Sequence, residues 1–120
     1  MTSCSDTGVV ENTKTTAISV EEAHRLHGRA GVEFVDPRPA EARAATTGTI
    51  PGARHISIAD IEADSLPPVF ADRTIHVVTT CQAGPMASQA AEAFAKLGFA
   101  NVSWIKGGTQ AWVDAGFETT

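Results

Sequence analysis

The residue best placed to do chemistry in this chain is a cysteine at a junction. In Thr80-Cys81-Gln82-Ala83-Gly84-Pro85-Met86-Ala87, Cys81 stands at the end of a β-rich run and directly before a helical pattern. In open α/β sheets that edge is where ligands bind. The start of a helix brings unpaired backbone N–H groups and the positive end of its dipole. A thiolate or a bound oxyanion there would be stabilised, and Gly84 gives the loop the freedom to curl its amides inward as an anion nest. By position alone Cys81 fits two roles: a small buried apolar side chain, as free cysteines commonly are, or a nucleophile. The other cysteine, Cys4, has no such setting. There is no C-x-x-C pair, and the four histidines (His24, His27, His55, His76) are scattered, so the pattern argues against a metal site.

The elements that must position Cys81 are legible on both sides of it. Thr74-Ile75-His76-Val77-Val78-Thr79-Thr80 is nearly continuous in β-branched residues, as a fully buried parallel strand should be. Ala87, Ala90, Ala91, Phe94 and Leu97 repeat at helical spacing, with Glu92 and Lys96 expected to pair on the outer face. Gly98 fits the left-handed position after the helix, with Phe99 packing back on Phe94. Upstream, Ser19 and Glu22 form a capping box opening a helix through Leu26, which ends near Gly28. Val32–Asp36 alternates as a strand, and a short helical piece follows Pro39 over residues 41–44. Val102–Ile105 reads as another strand, and a last helix runs through Ala111, Trp112 and Val113 after Gly107-Gly108. Strands alternating with helices imply an α/β fold with a mostly parallel sheet flanked by helices on both faces.

The bulk numbers bound the class. With 120 residues the expectation is one domain, residues 16–120, preceded by a flexible tail over 1–15 rich in Ser, Thr, Asn and Asp. The net charge of −5 and the absence of a Lys/Arg run argue against nucleic acid or an anionic membrane as partner. No stretch is apolar enough to span a bilayer, and the first 16 residues lack the basic flank and apolar core of a signal peptide. Two widely spaced cysteines are no disulfide framework and point to a reducing, cytoplasmic setting.

Three ordered motifs carry a family resemblance over about residues 17 to 117. The Cys81 loop resembles the rhodanese active-site loop. Asp36-Pro37-Arg38 followed by Gly48-Thr49-Ile50-Pro51-Gly52-Ala53 is similar to that family's D-x-R and G-H-I-P-G-A elements. Gly107-Gly108-Thr109-Gln110-Ala111-Trp112 matches its G-G-x-x-A-W element. The resemblance implies a five-stranded parallel sheet and a sulfurtransferase working through a persulfide on Cys81. A small donor such as thiosulfate, or a protein persulfide, would supply the sulfur, and cyanide, a thiol or a protein would accept it. No cofactor is implied. The amides of Gln82, Ala83, Gly84, Met86 and Ala87 would hold the persulfide's charge. Asp36 and Arg38 are candidates for substrate contact, though tying the strand end to neighbouring loops is their plainer use. Gly107, Gly108 and Trp112 read as turn and packing residues, His55 and His76 carry no assigned role, and Cys4 is a conceivable resolving thiol.

The chain also departs from that pattern. Met86 stands where active members often carry Arg or another polar residue, and Pro85 removes one loop donor. Thr80 replaces a frequent aromatic, and Thr49 replaces the histidine of G-H-I-P-G-A. Phosphatases of this fold use a longer loop ending in Arg, whereas the sixth residue after Cys81 is Ala87, which disfavours phosphate chemistry. The alternative to a sulfurtransferase is a binding or regulatory module of the same fold with little turnover; a phosphatase-like enzyme is the third reading.

Overall fold

The structure is a computed structural model and describes residues 15–120. Five parallel strands form one sheet in the order β1-β5-β4-β2-β3. They are β1 (Thr15–Ile18), β2 (Val32–Asp36), β3 (Arg54–His55), β4 (His76–Thr79) and β5 (Asn101–Ile105). The helices are α1 (Val20–Leu26), α2 (Ala40–Ala44), α3 (Ile58–Glu62), α4 (Pro85–Lys96) and α5 (Gly108–Asp114), with a 3₁₀ turn at Pro68–Ala71.

Strand alternation sorts the core onto two faces. Val35, Val77 and Val102 point to one side, where Ile61 of α3, Phe70 and the α4 residues Ala90, Ala91 and Phe94 cover them. Phe34, Val78 and Ile105 point to the other, under Val20 and Ala23 of α1 and Trp112 of α5. β4 is central, paired with β2 and β5, and is buried on both faces. Its continuous β-branched run reflects that position. The alanine stripe of α4 lets the helix lie close on the sheet, and the Thr79 hydroxyl donates to the Ala87 carbonyl at 2.7 Å.

The local signals act as expected in most places. Ser19 caps α1 by accepting the Glu22 amide at 3.1 Å, but Glu22 pairs its carboxylate with Arg25 rather than closing the capping box. Gly98 takes a φ of +98°, and Phe99 meets Phe94 edge to face with centroids 5.4 Å apart. The ion pair expected between Glu92 and Lys96 is not formed: both side chains stand exposed, where water competes for each charge. β1 begins at Thr15, one residue inside the segment expected as tail; residues 1–14, with Cys4, lie outside the described residues.

One histidine ties stability to pH. His76 is half-buried, with Nε2 2.7 Å from the Ser103 hydroxyl. Burial holds it below its ordinary value near 6.5, with the Glu22 charge pulling less strongly the other way. Such a group takes up a proton more readily when unfolded. Its stabilisation is therefore complete above the unfolded value near 6.5 and is lost as pH falls through and below it. Thermal melts between about pH 8 and about pH 5 should show less acid destabilisation in His76→Gln than in the parent. An identical pH slope in the two proteins would contradict this.

Candidate functional site

The site lies where β4 ends. Cys81 follows the strand at its carboxyl edge, is 3% exposed, and has its Sγ 2.9 Å from the Gly84 amide, which donates to it. That contact closes a tight loop between the sulfur and the start of α4. Gly84 makes it feasible: its φ of +130° is one that L side chains rarely adopt, and it caps a 12-residue helix whose first helical residue is Pro85. Met86 and Ala87 follow in the first turn, where amides have no partner within the helix.

A second helix start holds the loop from behind. The Thr109 amide donates to the Cys81 carbonyl at 2.7 Å, and the Gln110 amide to the Gln82 carbonyl at 3.0 Å. A trans peptide points its N–H opposite to its C=O, so the amides of Gln82 and Ala83 turn away from α5. Gly108 permits this approach. A Cβ added there would sit 2.6 Å from the Cys81 carbonyl oxygen and 2.7 Å from that of Gln82. The Thr80 hydroxyl lies 2.9 Å from that of Thr109, with both residues fully buried, so a hydroxyl pair locks strand end to helix start. Gly107-Gly108 reads in sequence as a turn and packing pair, and Gly108 does bring backbone close. That the backbone it meets is the Cys81 loop depends on contacts made only in the fold.

Around the thiol, Cys81, Gln82, Ala83, Pro85 and Met86 line a depression of about 360 Å³ together with Arg38, Pro39 and Ala42. Pro39 and Ala42 carry no chemical signal in sequence and come in because α2 packs beside the loop. Gly84 and Ala87 are buried beneath this surface, and Asp36 is fully buried behind Arg38. Met86, at 40% exposure, forms part of the rim.

Arg38 is bound on several sides. Its Nε and Nη2 donate to the Asp36 carboxylate, the latter at 2.7 Å, while Nη1 reaches Thr46 and Nη2 also reaches Thr47. The guanidinium thus joins the end of β2 to the 46–48 loop. The C-terminal residues brace that loop in turn: Thr49 and Thr120 exchange backbone hydrogen bonds, and the Thr119 hydroxyl donates to the Thr47 carbonyl. Thr49, which stands in place of a histidine, therefore contributes through its backbone. Arg38→Met would leave the Asp36 carboxylate buried without its counter-charge, at a cost of about 3–5 kcal/mol. Urea unfolding should show that loss, and the double variant Asp36→Asn/Arg38→Met should recover part of it. A single-variant loss below about 1 kcal/mol would mean that the pair is not a structural tie.

A family model for the rhodanese-like domain matches residues 19–115. The chain belongs to the rhodanese-like family. Solved structures similar to it include a protein of unknown function from Rhodopseudomonas palustris described as a possible tyrosine phosphatase, at 26% identity and a TM-score of 0.79, with 88% of this chain and 85% of that one covered. A human single-domain sulfurtransferase is 25% identical with a TM-score of 0.68, covering 82% of this chain and 95% of that one. A rhodanese-like domain protein from Staphylococcus aureus is 25% identical with a TM-score of 0.65, covering 88% and 98%. No curated protein matches the chain by sequence. The five-stranded, all-parallel α/β fold is that of these neighbours. No helix among the described residues is long and apolar enough to cross a membrane.

Proposed function

We propose that this rhodanese-like domain is a sulfurtransferase that carries sulfane sulfur on Cys81. The observation that carries the reading is the Gly84 amide aimed at the Cys81 sulfur from a loop whose Cys81 and Gln82 carbonyls are tied away to α5. An N–H donor stabilises negative charge on the sulfur it faces, and the thiolate is the competent nucleophile. It attacks the outer sulfur of a donor such as thiosulfate. A bond forms between Cys81 Sγ and that sulfur, the donor's own S–S bond breaks, and sulfite leaves with the electron pair. The resulting persulfide anion is attacked by an acceptor, cyanide or a thiol, which takes the outer sulfur and returns Cys81 as thiolate. A reducing compartment such as the cytoplasm suits a thiol with this task.

The amides of Gln82, Ala83, Gly84, Met86 and Ala87 are the groups proposed to hold the persulfide charge. Arg38 forms part of the pocket wall in this reading, with Asp36 fixing it. Sulfite release on mixing with thiosulfate, stoichiometric with protein before acceptor is added, tests the proposal. No sulfite release with thiosulfate, together with no transfer of sulfur to Cys81 from a persulfide donor, would favour the second reading, a binding module of low turnover. The missing loop cation is the observation on the side of that reading. Phosphatase chemistry, suggested by the description of one neighbour, has less support: Ala87 is buried where a terminal Arg would grip phosphate.

Met86 gives this proposal a graded test. Met86→Arg would add a charged donor at the rim, and such a bond is worth roughly 1.5–3 kcal/mol. Solvent screening at this exposed position cuts the gain to about 10-fold in kcat/KM for thiosulfate. Steady-state rates with thiosulfate and with an uncharged donor should diverge by that factor. An equal change for both would mean that Met86 acts through loop packing alone.

A further inference from the structure

The walls of the Cys81 depression carry a specificity that a small dianion does not use. Of the described residues that line it, Arg38 alone is charged, and its charge is matched by Asp36 at 2.7 Å while Thr46 and Thr47 take further N–H groups. Pro39, Ala42, Ala83, Pro85 and Met86 present carbon around the thiol, and Met86 is 40% exposed at the rim. The volume of about 360 Å³ lies within the roughly 300–1,000 Å³ range of organic-ligand pockets. The chain's net charge of −5 adds a long-range penalty for an approaching dianion.

We infer that the sulfur donor of this site is an organic sulfane compound, an apolar group bearing a terminal sulfur, which Pro39, Ala42 and Met86 grip beside Cys81. The inference rests on the sulfur-transfer reading above and names its donor class. With a thiosulfonate as donor, the Cys81 thiolate attacks the terminal sulfur. The new S–S bond forms at Sγ, the donor's S–S bond breaks, and its electron pair leaves on the sulfinate. No oxidant or reductant is needed, and the total charge is the same before and after. Thiosulfate undergoes the same exchange with sulfite as leaving group, so the two donors differ in the group attached to the sulfonyl sulfur: an apolar one against a charged oxygen.

That pair provides the test. Persulfide formation on the full chain is timed by intact-protein mass spectrometry with benzenethiosulfonate and with thiosulfate. Each rate constant is divided by that of the same donor with a small free thiol, which removes intrinsic reactivity. The normalised rate for benzenethiosulfonate should exceed that for thiosulfate by about 10-fold or more, the low end of what an apolar group gains in a pocket. Met86→Ser should lower that ratio, and Pro39→Ser combined with it should lower it further. A normalised ratio of one or below, or a ratio unmoved in the double variant, overturns the donor assignment while leaving sulfur transfer in place. Persulfide formation with neither donor overturns the donor assignment, and failure with a persulfide donor as well overturns the sulfur-transfer reading itself.

Discussion

Cys81→Ser is expected to give a folded protein whose sulfur transfer falls to the uncatalysed rate. The side chain is 3% exposed and meets the Gly84 amide, and a serine hydroxyl fits the same space and can accept the same hydrogen bond. Stability should therefore change by no more than about 1 kcal/mol, an ordinary single-residue effect. The chemistry cannot survive, because an alkoxide is not available near neutral pH and oxygen does not carry sulfane sulfur. Sulfite release and thermal melts on the same preparations separate the two effects. Residual transfer above background would move the nucleophile elsewhere. A collapse of the melting temperature would mean that Cys81 is chiefly a core residue.

Gly108→Ala is the other substitution of large effect, and it acts at a distance from the sulfur. The added Cβ would meet the Cys81 and Gln82 carbonyl oxygens at 2.6 and 2.7 Å. These are backbone atoms, so either the loop or α5 must shift. Overpacking of this kind costs about 1–3 kcal/mol. A displacement approaching 1 Å at a reacting group costs about 100-fold in rate, and kcat/KM should drop by that order. Gly116→Ala is the matched control: its φ is also positive, at +88°, but nothing lies within 4 Å of an added Cβ. It should lose some stability and keep its activity. If the two variants lose activity equally, the contact with the Cys81 loop is not what Gly108 provides.

The parts of the fold readable in sequence are those whose signal is local. β4 announces itself because burial on both faces demands a β-branched run. α4 does so because its alanine stripe, the glycine after it and the Phe94–Phe99 contact repeat at fixed offsets. β1 was not marked as a strand. It is four residues long at the sheet edge, and its two middle residues are exposed, so no alternation separates it from the polar segment before it. α3 was missed as well: five residues capped by Ser57 make little more than one turn, too short for a period to show. At the site, Cys81 and its loop follow from the strand–helix junction. The grip of Thr109 and Gln110 on that loop does not, because those partners meet only when β4 and β5 lie side by side. Arg38 illustrates the same limit. Asp36 is two residues away and could be matched to it in sequence, whereas Thr46, Thr47 and the bracing by Thr119 and Thr120 depend on how the chain returns.

The central claim is a covalent sulfur on one atom, and intact-protein mass spectrometry reads it directly. After exposure to a sulfane donor and removal of the excess, the chain should gain the mass of one sulfur atom, which peptide mapping should place on Cys81. Adding a thiol or cyanide should remove it and return the starting mass. A sulfur adduct on Cys4, an adduct that persists in Cys81→Ser, or an adduct that no acceptor discharges would contradict the account.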